Sequence, residues 1–125
     1  MKRVLSIGQC GFDHGSITRF LTSHFDVEVL PATTATQADR LLIEKPADLI
    51  LVNRQFDADG DSGLDYIKHL KADLNLSTIP VMLITNYRNY AEQSVSLGAV
   101  PGFGKSELTS PSLTSRLQPY LQADE

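Results

Sequence analysis

The sequence predicts an α/β domain built on a parallel, doubly wound sheet, and three observations carry that reading. Short apolar runs alternate with stretches of helical spacing along the whole chain. Two of the runs, Leu49–Val52 and Val81–Ile84, are unbroken, as in strands covered on both faces. The length of 125 residues, 42% of them hydrophobic, suits a single domain over 1–125 with its own core.

The elements follow in order. Val4–Ile7 reads as the first strand, and Ile17, Phe20, Leu21 and Phe25 give the next stretch one apolar helical face. Val27–Leu30 is the second strand. Thr34 with Gln37 has the form of a capping box ahead of Ala38, Leu41 and Leu42. After the third strand, Leu49–Val52, comes a helix striped by Leu64, Ile67, Leu70 and Leu74. The fourth strand, Val81–Ile84, leads to a helix whose stripe is Tyr87, Tyr90, Ala91, Ser94 and Val95, stopped by Gly98. Ala99–Val100 reads as a short fifth strand. Ser110-Pro111 opens a last helix through Leu113, Leu117, Tyr120 and Leu121, with Pro119 expected to bend or fray its final turn.

Five strand–helix units with right-handed crossovers are most economically arranged as a five-stranded flavodoxin-like sheet, order 2-1-3-4-5, with helices on both faces. Such a sheet puts its functional crevice at the carboxyl ends of the strands, around strands 1 and 3. Composition narrows the function. The net charge of −4 argues against a self-sufficient nucleic-acid binder, and one cysteine, Cys10, excludes an internal disulfide framework or a cysteine-ligated zinc. The longest apolar runs are four residues, where a membrane helix needs about 20. No signal-peptide core precedes Gly8, Gln9 and Gly11, so the expected location is the cytoplasm.

The strand ends carry Gly8, Gln9 and Cys10, then Asn53, Thr85 and, through Gly102-Phe103-Gly104, Lys105. Two amides, a hydroxyl and an ammonium provide neither a strong nucleophile nor a neutral-pH base, so no enzyme is expected. Lys105 has two readings: it pairs with Asp57 or Asp59 or faces water, or it forms an anion point with Thr85. The Asp57-Ala-Asp59-Gly-Asp61 loop opens like an EF-hand but has Ser62 and Lys68 where that loop needs glycine and glutamate. It is expected to cap the third helix through Asp61 or Ser62. Cys10 beside His14 offers a third, enzymatic reading; the plainer one is a small residue in a turn.

The blocks Ala47-Asp-Leu-Ile-Leu-Val-Asn53, Ser62-Gly-Leu-Asp-Tyr-Ile, Ile79-Pro-Val-Met-Leu-Ile-Thr85 and Leu97-Gly-Ala99, with Lys105 six residues further on, together resemble the receiver domain of bacterial two-component response regulators. The resemblance spans Val4 to about Leu121. It implies an aspartate at the end of strand 3 that becomes an acyl phosphate. An acidic pair after strand 1 holds Mg²⁺, a Ser or Thr ends strand 4, a Lys follows strand 5, and a switch aromatic precedes that Lys. Thr85 and Lys105 match. The acceptor position holds Asn53, the acidic-pair positions hold Gly8 and Gln9, and the switch-aromatic position holds Gly102, with Phe103 one place later. Asp57 and Ser106 stand where the family has prolines.

A carboxamide is no nucleophile, and Mg²⁺ prefers charged oxygens. The resemblance therefore implies a pseudo-receiver: no cofactor, Mg²⁺ binding lost or weak, and signalling through protein contact without phosphorylation. Implied partners are a histidine kinase, another regulator or a second copy, meeting helix 4, strand 5 and helix 5 at Tyr90, Phe103, Arg116 and Tyr120; no nucleic acid or membrane is implied. The alternative is a sensor of a small anion or metabolite at Gln9, Asn53, Thr85 and Lys105.

Overall fold

The computed structural model describes residues 1–122, so the last three residues of the expected 1–125 domain lie outside it. Four strands, β1 (Lys2–Ile7), β2 (Val27–Ala32), β3 (Leu49–Asn53) and β4 (Val81–Ile84), form one parallel sheet in the order 2-1-3-4. Between and after them run α1 (Gly11–His24), α2 (Ala35–Glu44), α3 (Gly63–Ala72), α4 (Arg88–Ser96) and α5 (Pro111–Leu121).

Strand alternation divides the core. Ile50 and Val52 join Leu5 and Ile7 under Ala38, Leu42, Ile67 and Leu70 of α2 and α3. Leu49 and Leu51 face the other way, onto Ile17 and Leu21 of α1 and Leu113 and Leu117 of α5. That two-sided packing is why β3 reads as an unbroken apolar run. Each such fully buried Leu or Ile contributes about 1.5–3 kcal/mol relative to exposure.

The caps are local. Thr34 Oγ1 accepts the Gln37 N–H, but Gln37 Oε1 accepts the N–H and hydroxyl of Thr33 and not the N–H of Thr34. Gly98 (φ +108°) closes α4 with the paired bonds Gly98 N–H to Val95 O and Ala99 N–H to Ser94 O. Proline stands at the start of α5, which continues past Pro119 because Leu117 and Leu121 hold its inner face in the core.

Three expectations are corrected. Leu74 lies beyond α3 and is 92% exposed, because Asp73 ends the helix and accepts the Asn75 N–H in a turn. Tyr87 precedes α4 and is 60% exposed, and Ser94 is the one buried residue of that helix. The fifth strand is not formed. Val100 N–H reaches Val81 O and Thr85 N–H reaches Phe103 O, with a single bridge between Ile84 and Phe103. Residues 100 and 103 differ in parity, and a regular strand turns only alternate residues to its neighbour. The backbone between them must break step: Pro101 lacks an N–H, and Gly102 lies so close to Leu83 that a Cβ there would overlap the Leu83 carbonyl oxygen.

Candidate functional site

The site grows from the two central strands. β1 stops at Ile7, and Gly8 turns the chain at φ +79°, a conformation that favours glycine. Its N–H donates to Ala32 O at 2.7 Å, while its carbonyl oxygen accepts the Asp57 N–H at 3.0 Å. That carbonyl also accepts Asn53 Nδ2 at 3.1 Å, and the same Nδ2 donates to Gln55 O at 2.7 Å. Both amide hydrogens of Asn53 thus bond to main-chain carbonyls, one just past the end of β1 and one just past the end of β3. Beneath them the Phe56 ring, 1% exposed, occupies the space a side chain at residue 8 would need; a Cβ on Gly8 would overlap the ring, with Phe56 Cγ at 2.8 Å.

Lys105 donates to Asp13 Oδ2 at 2.7 Å, with both side chains less than a third exposed. Its partner is neither Asp57 nor Asp59, as the sequence suggested; Asp59 instead accepts the Asp61 N–H. Asp13 sits in the first turn of α1, where the helix dipole favours negative charge. The Lys105 hydrogen bond is the main cause holding its carboxyl below the usual carboxylate range. Thr85 Oγ1 accepts the Tyr87 N–H at 3.1 Å. Asn53, Thr85 and Lys105 share an open cleft of about 240 Å³ with Arg54, Asn86 and Tyr87. On the other side of Asn53 and Lys105, Cys10, Asp13 and Asp57 line a second hollow.

Three of the expected pocket residues, Asn53, Thr85 and Lys105, are therefore brought together, with Gly8 contributing its carbonyl. Gln9 is not part of that cleft: it is 8% exposed, and its side-chain N and O have no hydrogen-bond partner among the described residues. Cys10 caps α1 by accepting the Asp13 N–H through Sγ at 3.5 Å, and His14, its pKa lowered by burial, contacts Thr18 rather than the thiol. Ser62 caps α3 through the Asp65 N–H.

On the expected partner surface, Phe103 is corrected: it is 3% exposed and packs in the α1–α5 core. Tyr90 is half-buried, and the Arg54 guanidinium lies 4.8 Å from its ring centroid and 5.6 Å from that of Tyr87. Arg116 bonds Glu107 Oε1 at 2.7 Å and also donates to the Gly102 carbonyl. Tyr120 packs half-buried against α5's side of the core. Asp13, Arg54 and Phe56 were missed from sequence. Asp13 had one signal, an acid in the first turn of a helix that opens beside the strand ends.

No protein-family model matches the chain, and no curated protein matches it. Solved structures do. The signal receiver domain of a DNA-binding response regulator from Colwellia psychrerythraea 34H is 21% identical, covering 95% of this chain and 97% of that one at a TM-score of 0.80. A BeF3-activated N-terminal receiver domain from Klebsiella pneumoniae is 20% identical over 98% of this chain and 100% of its own, at 0.79. A putative response regulator from Chloroflexus aurantiacus J-10-fl is 15% identical over 98% of both chains, at 0.80. The fold is that of a receiver domain.

Within the receiver fold, the Mg²⁺ that the family's acidic pair would hold does not fit these residues. Position 8 has no side chain and no room for one, the Gln9 amide is buried away from the cleft, and position 53 presents N–H groups to the converging carbonyls. The switch-aromatic position is equally constrained, since Gly102 lies against the Leu83 backbone. Nearby, Asn86 Oδ1 accepts both the N–H and hydroxyl of Ser106, and Glu107 Oε2 accepts the Gly104 N–H.

Proposed function

We propose that this chain is an atypical receiver-like signalling module that acts through protein contacts without aspartyl phosphorylation. The observation that carries this reading is the Asn53 amide, a non-nucleophile whose two N–H groups are committed to Gly8 and Gln55. The proposal includes no catalytic activity and no cofactor. Its partner is a signalling protein, such as a histidine kinase or another regulator, or a second copy. The contact surface is the α4–α5 side, with Arg54, Tyr87 and Tyr90 at one end and Arg116 and Tyr120 at the other. Tyrosine and arginine are the residues that most often dominate such contacts. A cytoplasmic location is part of the same proposal; among the described residues no helix is long and apolar enough to cross a membrane.

Incubation with acetyl phosphate and Mg²⁺, followed by intact-mass measurement, is expected to leave the mass unchanged. A phosphoryl adduct that hydroxylamine removes would refute the proposal. The anion-sensor alternative draws on Arg54, Thr85 and Lys105 lining one cleft, but Asp13 already neutralises Lys105. A saturable rise in melting temperature with phosphate or sulfate, absent at equal ionic strength of chloride, is the result that would favour it.

A further inference from the structure

We propose that the Asn53 carboxamide is a built-in substitute for a bound cation, its NH₂ group clasping the ends of β1 and β3 where two carbonyl oxygens converge. This deepens the reading that no acyl phosphate forms at residue 53, and rests on it. Gly8 O and Gln55 O lie 3.1 and 2.7 Å from one nitrogen. Main-chain oxygens aimed at a common point concentrate negative potential there, and they need either a hard cation or N–H donors between them. The trigonal NH₂ supplies a hydrogen to each.

In the wild type the surroundings are closed around the amide. The Asp57 N–H takes a further share of Gly8 O, so that oxygen has two donors and no free lone pair. Gly8's left-handed backbone is what turns the carbonyl inward, and Phe56 closes the space beneath it. A carboxylate at residue 53 would instead place a third oxygen against the two carbonyls. The structure would then depend on a cation that the wild type does without.

The probe is Mn²⁺, added to the whole chain at constant ionic strength, with EDTA as its reference. Wild-type melting is expected to be the same in both, with no selective NMR broadening at Gly8, Asn53 and Gln55. Asn53→Asp is expected to melt about 5 °C lower in EDTA and to recover with Mn²⁺, whereas Asn53→Ala stays low in both. Mn²⁺ stabilisation or selective broadening of the wild type overturns the proposal. So does an Asn53→Asp variant as stable as wild type in EDTA, or one that Mn²⁺ does not recover.

Should that variant not fold, hydrogen exchange of the wild-type Asn53 side-chain NH₂ decides. It is expected to be about tenfold slower than that of the exposed Asn75, and equal rates overturn the clasp. No phosphodonor enters these measurements, so their failure is distinct from the appearance of an acyl phosphate.

Discussion

Placing an acid at residue 8, the first of the two positions where the resemblance implies an acidic pair, by Gly8→Asp is expected to damage the fold. Two costs add. At φ +79° a side chain with a Cβ costs about 1–2 kcal/mol relative to glycine. The Cβ would also overlap the Phe56 ring and lie 3.1 Å from Phe56 Cα; that ring is 1% exposed and packed in the core, so overpacking adds about 1–3 kcal/mol. The sum, about 2–5 kcal/mol, is a large fraction of the roughly 5–15 kcal/mol that holds a domain together. For a chain of this size it lowers Tm by roughly 8–20 °C.

The assay is urea and thermal unfolding of wild type, Gly8→Ala, Gly8→Asp, Phe56→Leu and the Gly8→Ala/Phe56→Leu double variant. Trimming the ring relieves the overlap but not the backbone strain. The cycle should therefore show a coupling of about 1–2 kcal/mol, with the double variant less damaged than the two singles added. A Gly8→Asp protein that melts with the wild type, or strict additivity in the cycle, would refute the reasoning. By the same logic, Asn53→Asp alone should not take up phosphate from acetyl phosphate as fast as a receiver with its acidic pair intact.

Three further outcomes are expected. Asp13 has a carboxyl held below its unfolded value, so its contribution is complete above about pH 4 and is lost as pH falls through the lower folded value. Asp13→Asn should therefore cost about 1 kcal/mol at pH 7, with the gap to wild type closing in acid; equal urea midpoints at pH 7 would show the Lys105 pair contributes nothing. Arg116→Lys keeps the charge but lacks the fork that reaches both Glu107 and the Gly102 carbonyl, so it should cost about 1 kcal/mol and speed amide exchange at Gly104, and an unchanged exchange rate would count against that bracing. Ser6→Ala removes a hydroxyl that is buried without a hydrogen-bond partner among the described residues, and should raise stability by about 1 kcal/mol; a fall in Tm would reveal an internal water as its partner.

The layers and four of the strands were legible because β3 and β4 bury both faces and leave unbroken apolar runs. Asn53, Thr85 and Lys105 were legible because strand ends converge in any doubly wound sheet. What was not legible depended on packing angles. Asp13 meets Lys105 across 92 residues of chain only because α1 starts beside the crevice. Phe56 gains its role from the backbone angle of Gly8, which no sequence pattern states. Phe103 read as a surface aromatic, but the irregular step at Pro101 and Gly102 turns it into the core, and the same step removes the fifth strand. Leu74 fits a helical stripe whose helix has already ended.

The two sheet margins have a shared consequence. On one, the carbonyl of Ala32 faces β1, so by alternation the nitrogen of Pro31 points outward, where an incoming strand would look for a donor. On the other, Val100 N–H faces β4, which turns the nitrogen of Pro101 outward as well. Each rim therefore lacks a donor in its outer row, and the second is also out of step. Both interruptions disfavour strand addition at the rims, which works against edge-to-edge aggregation. It also bears on the proposed recognition: a partner of the kind proposed would gain its hold from side chains on the helices rather than by lending a β-strand to the sheet.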